Sequence, residues 1–247
     1  MIAANIQRFL QRHFPRPHSF LQARLAPDGL FGRYFTIGAI SLIGAVWMFG
    51  GISEDLITGD PLVVIDAFLS EWFRSHRTQN FTEAMQTVSA FASTPAVIAL
   101  STIAACFLLW KRLWYRLLAL IVVVAGGMFL NVLLKHLLGR ERPGWADAAL
   151  SDSGFPSGHT MMATIIYGFL ATYLILGTHS WPARFLIAIM TISLVFLIAL
   201  SRIYLGAHYL SDVLGAMAAG TAWLALCLTA TESARRHQGS LLSIGRR

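Results

Sequence analysis

Ser201-Arg202-Ile203-Tyr204-Leu205-Gly206-Ala207-His208-Tyr209-Leu210-Ser211-Asp212 sets an arginine, a histidine and an aspartate between two apolar runs, residues 185–200 and 210–230. Such runs, with residues 117–134, approach the window of about 20 residues that a bilayer requires. Ionisable groups at membrane depth are costly, and where they occur they usually serve function. A helix beginning near His208 would put Asp212 one turn on, on the same face and within hydrogen-bond reach of one imidazole nitrogen. Arg202 precedes His208 by six positions, about 240° around a continuous helix axis, so a shared site requires a break near Gly206. A helix-end arginine and a snorkelling interfacial histidine would give the same residues.

Composition supports the membrane reading. Of 247 residues 56% are hydrophobic and 13% charged, far more apolar than a water-soluble domain. The net charge of +7 would suggest nucleic acid in a soluble protein, but the arginines flank apolar runs. Membrane topology and contact with anionic lipid explain that better, so the expected partner is the bilayer and not nucleic acid. Cys106 and Cys227 both sit inside apolar runs, which argues against a disulfide framework or a zinc site.

The expected fold is all-α: an integral membrane bundle of six transmembrane helices, at residues 35–52, 95–110, 117–138, 159–176, 183–204 and 210–230. Between the first two spans, Leu62, Ile65, Phe68, Leu69 and Trp72, then Phe81, Met85, Val88 and Phe91, recur at helical spacing in segments too polar to span. These predict two interfacial helices at the outer surface. Residues 1–34 read as a retained basic cytoplasmic arm. In it Ile6, Phe9, Leu10 and Phe14 suit either a short helix on the inner leaflet or a frayed segment. Residues 35–230 form the membrane domain, and residues 231–247 read as a disordered cytoplasmic tail. With six spans the termini share a side, and that side carries thirteen lysines and arginines against six on the other. The positive-inside rule therefore places both termini in the cytoplasm, and the 139–156 loop, Arg202 and His208 outside.

Three clusters then share one membrane face: Lys135 to Arg142-Pro143, Pro156-Ser157-Gly158-His159, and the opening stretch. Lys135, Arg142 and Arg202 would repel one another unless an anion sat among them, and a tetrahedral phosphate matches arginine forks. Ser157 and Gly158 precede a helix whose N-terminal N–H groups could complete a cradle. Alone, Pro-Ser-Gly-His also reads as a turn and an N-cap.

Taken together the clusters resemble the type 2 phosphatidic acid phosphatase (PAP2) superfamily, in its bacterial membrane branch. Its signature is a lysine, six residues and Arg-Pro; then Pro-Ser-Gly-His; then Ser-Arg, five residues, His, three residues, Asp. Lys135 through Pro143, Pro156 through His159, and Ser201 through Asp212 match every position. The resemblance implies a helical bundle of the acid phosphatase–haloperoxidase type. It also implies that His208 is the nucleophile, that Asp212 orients it and that His159 protonates the leaving oxygen. Lys135, Arg142, Ser157, Gly158 and Arg202 would hold the phosphate. A covalent phosphohistidine divides one displacement into two easier steps, and fixed cations neutralise charge on the transferring group. No metal or other cofactor is then expected.

The implied function is hydrolysis of a lipid phosphate or diphosphate at the outer face of a bacterial cytoplasmic membrane. Undecaprenyl diphosphate is the first choice; phosphatidylglycerophosphate, phosphatidate and lipid A phosphates are close behind. A lipid-to-lipid phosphotransferase and a non-enzymatic phospholipid carrier are the rivals, and the oligomeric state is open. Outside the motifs, His136 reads as interfacial, Arg140 and Glu141 as solvated loop charges, and Asn131 as a bond across helices. Trp145 and Tyr204 read as interfacial anchors or as lining for a lipid entrance.

Overall fold

The computed structural model describes residues 33–59, 61–145 and 153–244, with side chains through residue 235. Eight helices follow in chain order among them. The first is α1 (Arg33–Thr58), then α2 (Pro61–Ser75), α3 (Gln79–Ala90), α4 (Thr94–Trp110) and α5 (Trp114–Leu138). After the 139–157 segment come α6 (Gly158–Gly177), α7 (Trp181–Tyr204) and α8 (Leu210–Ile244). Among the described residues six stretches are long and apolar enough to cross a membrane: Phe35–Thr58, Gln79–Trp110, Trp114–Leu138, Gly158–Gly177, Trp181–Tyr204 and Leu210–Arg235. The chain is an all-helical, multi-pass integral membrane protein.

Helix boundaries follow the local chemistry. Pro95 and Pro182 stand in the first turns of α4 and α7, where a missing N–H costs nothing and the fixed φ suits the helix. After Arg184 in its first turn α7 is mostly apolar, and its end is set by Gly206, at φ +72°. There the Gly206 N–H donates to the Ile203 carbonyl at 2.9 Å and the Ala207 N–H to the Arg202 carbonyl at 3.1 Å. This is a Schellman turn, which satisfies the last carbonyls of the helix and requires a left-handed residue that glycine supplies most readily. The break required by the Arg202–His208 spacing is therefore present.

The core lies where α5, α6 and α8 meet. Val123, Met161, Ile165, Ile166, Phe169 and Ala216 are buried there, and α8 also packs along α1. Burial of an apolar side chain in such a core is worth about 1.5–3 kcal/mol in water. In lipid the gain comes instead from close packing and interhelical bonds, as when the Trp223 indole donates to the Val123 carbonyl at 3.0 Å.

One expectation changes. The 231–247 tail was expected to be disordered, but α8 continues to Ile244 without interruption. Arg235 is paired with Glu232 at 2.7 Å one turn earlier, a spacing that supports a helix. The second interfacial segment forms a helix of its own, α3, joined to α4 through a three-residue turn and packed against α7. The expected arm, residues 1–34, lies outside the described residues apart from the first turn of α1.

Candidate active site

The Schellman turn returns the chain so that His208 lies beside the last turn of α7, its N–H 3.3 Å from the Arg202 carbonyl. Its imidazole is almost fully buried, at 3% exposure. Nδ1 is 2.7 Å from the Gly154 carbonyl oxygen. A carbonyl only accepts, so Nδ1 carries the proton and Nε2 bears the lone pair. That Nε2 faces Arg142, 3.3 Å from Nη1, and the same Nη1 donates to the Ala207 carbonyl at 2.7 Å. Burial pushes the His208 pKa below its ordinary value; the Asp212 carboxylate opposes this, while Arg202 and Arg142 add to it.

Asp212 lies within ion-pair reach of the imidazole but farther from it than Gly154 does. Its nearer oxygen is 3.6 Å from Nδ1, beyond a good hydrogen bond. That oxygen accepts from the Tyr209 N–H at 2.8 Å and the other from Arg140 at 2.8 Å. A carboxylate in the first turn of α8 that captures the N-cap backbone is also favoured by the helix dipole.

One cavity of about 290 Å³ is lined by Lys135, Arg142, Gly158, His159, Arg202 and His208. Side chains from the end of α5, the following segment, the start of α6, the end of α7 and the turn before α8 meet there. Ser157 is not on the lining: its hydroxyl is fully buried and without a partner among the described residues, as is the Nε of Arg202. Buried donors of that kind are costly unless something accepts from them. Gly158 leaves room that a side chain would fill, since a Cβ would lie 3.2 Å from Asn131 Oδ1. A larger cavity of about 960 Å³ opens at the opposite end of the bundle, around Arg112, Tyr173 and Arg235, and holds none of the histidines. Among the described residues no group of His, Cys, Asp and Glu is placed to hold a metal ion.

A sequence model of the PAP2 superfamily matches residues 116–236, which contain all three clusters. That region, just under half of the chain, is of the PAP2 superfamily. It is 32% identical over 117 residues to phosphatidylglycerophosphatase B of Bacillus subtilis, a match covering 45% of this chain and 55% of that protein. The chain thus matches little more than half the length of that curated relative. A crystal structure described as the first transmembrane PAP2-type phosphatidylglycerolphosphate phosphatase from Bacillus subtilis superposes with a TM-score of 0.68. The identity is 24%, over 76% of this chain and 94% of that one. The crystal structure of Aquifex aeolicus LpxE aligns with a TM-score of 0.50 at 23% identity, over 66% and 94%. At those identities the two structures speak for the fold.

Residues outside the PAP2 motifs complete the site. Arg140, expected as a solvated loop charge, is 17% exposed at its side chain and bridges Asp212 and Asp66. Burial works against its charge, yet the two carboxylates raise its pKa above the ordinary arginine value. Asp66, on α2, is buried; Ser89, on α3, accepts from Arg202 Nη1 at 2.7 Å. The available signal for Asp66 and Ser70 was their spacing of four, which puts two polar groups on one helical face. Trp145 donates to Ser70 at 2.8 Å and lies against Gly206. Tyr204 is buried, its hydroxyl accepting from the Thr78 N–H at 3.1 Å, so neither aromatic is a free interfacial anchor. Asn131 on α5 reaches Met161 on α6, a bond across helices. His136 is exposed.

Proposed function

We propose that this protein is a lipid phosphatase that passes a phosphoryl group from a lipid phosphate or diphosphate to His208 and then to water. The observation that carries this reading is the imidazole of His208, held in one tautomer by Gly154 with its unprotonated nitrogen beside Arg142 in the cavity that Lys135 and Arg202 also line. In the first step the Nε2 lone pair bonds to phosphorus as the bond to the lipid oxygen breaks, and His159 protonates that oxygen. In the second, His159 takes a proton from water, the water oxygen bonds to phosphorus, the P–N bond breaks and phosphate leaves. Two histidines in one cavity can divide these roles when their surroundings separate their proton affinities. The three cations neutralise the charge that gathers on the equatorial oxygens.

The lipid tail reaches the site sideways. Ile98, Met128 and Val132, from α4 and α5, line the cavity and are themselves exposed on the bundle surface, which suits acyl chains still in the bilayer. The excess of basic residues at the other end of the bundle supports an outer-face site. Undecaprenyl diphosphate is the substrate read from the sequence. The similarity to phosphatidylglycerophosphatase B favours phosphatidylglycerophosphate as a second reading.

Phosphate release by purified protein in detergent with chelator, over both lipids, phosphatidate and a lipid A phosphate, tests the proposal. Release should occur, and His208→Ala should lower it by at least about a thousandfold, as removal of a covalent nucleophile does. Unchanged function in His208→Ala would make the protein a carrier. Label moving into an acceptor lipid without free phosphate would make it a phosphotransferase.

A further inference from the structure

The amphipathic helix α2 is turned the opposite way from a helix of a water-soluble protein. Val64, Phe68 and Trp72 are exposed on its outer face, while Asp66 is 1% exposed and Ser70 is buried against the bundle. With lipid-facing apolar residues and inward polar ones, α2 docks through hydrogen bonds as well as through Phe73, which packs against Ala199, Ile203 and Val213. A buried carboxylate is costly unless fully paired, and Asp66 is paired three times. It accepts from the Ser211 N–H at 2.9 Å, from the Ser211 hydroxyl and from Arg140 Nη2 at 2.8 Å.

Arg140 carries the connection onward. Its Nη1 donates to Asp212 at 2.8 Å and to the Ser211 hydroxyl, and its guanidinium lies 4.3 Å from the centre of the Tyr209 ring. Its backbone is equally committed: the Arg140 N–H donates to Ser153 Oγ at 2.9 Å, and its carbonyl accepts from the Gly154 N–H at 2.7 Å. The two groups nearest His208 Nδ1, the Gly154 carbonyl and the Asp212 carboxylate, are therefore both attached to one residue. That residue is fixed in turn by Asp66.

We propose that Asp66, acting through Arg140, is a positioning residue for His208, and that α2 is a fixed clamp on the site instead of a lid. The inference rests on the phosphatase reading. It requires that loss of the link misplace the nucleophile without removing any group that touches phosphate, so the chemical step suffers more than binding. It also gives the two ends of the link opposite electrostatic signatures. The charged groups acting on His208 are Asp212 on α8, Arg142 in the 139–145 segment and Arg202 on α7; His159 on α6 and Lys135 on α5 share its cavity, and Arg140 reaches it only through Asp212. Removing the Arg140 charge leaves Asp212 unbalanced, which favours imidazolium and moves the acid limb of activity upward in pH. Removing the Asp66 charge leaves Arg140 less neutralised, which moves it downward.

The experiment uses the full chain in detergent, with kcat, KM, pH profile and orthovanadate protection against heating measured for Asp66→Asn, Arg140→Met and their double variant. Misplacement by an ångström can cost about a hundredfold in rate; kcat should fall by about that much in Arg140→Met and by about tenfold in Asp66→Asn, with KM and the protecting vanadate concentration within about threefold. The double variant should be no slower than Arg140→Met alone, because the two residues act through one link. Should Asp66→Asn fail to fold, Arg140→Lys carries the test: one short cation cannot bridge both carboxylates, so kcat should drop while the acid limb stays in place. Lower thermal stability with unchanged kcat and pH profile would reduce the network to a brace and overturn the proposal. Multiplying losses in the double variant, or limbs that move the same way, would also overturn it. A wild-type protein that releases no phosphate sinks the phosphatase reading, and this inference with it; an active wild type with unaltered variants sinks this inference alone.

Discussion

The Nδ1–H of His208 donates to the Gly154 carbonyl at 2.7 Å, so a backbone group and not a carboxylate sets the tautomer. In a serine protease triad the carboxylate has that duty, and its loss costs about 10⁴ in kcat because the imidazole adopts the wrong tautomer. Here an amide at position 212 would still accept from the Tyr209 N–H and would leave the Gly154 bond intact. Asp212→Asn should therefore lower kcat by only about ten- to a hundredfold, well short of His208→Ala. Equal losses in the two variants, measured at saturating substrate, would return the orienting role to Asp212.

Burial, with Arg202 and Arg142 nearby, lowers the His208 pKa from its ordinary value of 6.5 against the opposing pull of Asp212. The nucleophile must be neutral. A lowered pKa keeps it neutral at acidities where an ordinary histidine is half protonated, and activity is lost only as pH falls through the folded value. The acid limb of kcat/KM, which reports the free enzyme, should lie below pH 6.5, and Asp212→Asn should move it lower still. A limb at or above 6.5 that disappears in no histidine variant would contradict the burial argument.

The spans were legible because a bilayer imposes length and apolarity directly on the sequence, and the three clusters because their spacings are rigid. The Gly206 break was legible for a geometric reason: Arg202 and His208 cannot face one cavity along an unbroken helix. The partners were not. Asp66 looked like an ordinary polar position on an interfacial helix, because periodicity shows that a helix has two faces without showing which one meets lipid. Arg140 sits beside Glu141 and Arg142 in a segment whose path is set by contacts 13 to 74 residues away. Asp212 had the right spacing for His208, but spacing does not reveal a competing carbonyl from residue 154.

His159 lines the cavity together with His208, and its proposed proton matters most when the leaving oxygen is a poor one. A diphosphate expels a phosphate, which needs less protonation than the alkoxide expelled from a monoester. His159→Ala should therefore reduce monoester hydrolysis by roughly tenfold more than diphosphate hydrolysis, within the range of about 10²–10⁴ that general acids contribute. Parallel assays on phosphatidate and on an isoprenoid diphosphate decide it; equal losses would remove His159 from the acid role.

Gly206 and Gly59 provide a matched pair for the turn before the nucleophile. Both are left-handed, at φ +72° and +78°, so alanine at either carries a backbone penalty of about 1 kcal/mol. They differ in their surroundings. Among the described residues a Cβ at Gly59 meets nothing within 4 Å, whereas one at Gly206 would lie 2.1 Å from the Trp145 ring. That ring is held by its bond to Ser70 and by the Arg77 guanidinium 5.0 Å above it, so it cannot simply swing away. Gly59→Ala should cost about 1 kcal/mol in stability with unchanged turnover. Gly206→Ala should cost about 1–3 kcal/mol more and lower kcat, because the displaced turn separates His208 from Arg202 and Arg142. Thermal unfolding with kcat measured on the same samples separates the two contributions: matching losses of stability and activity at both glycines would mean that Trp145 yields and that the turn does not hold the nucleophile in place.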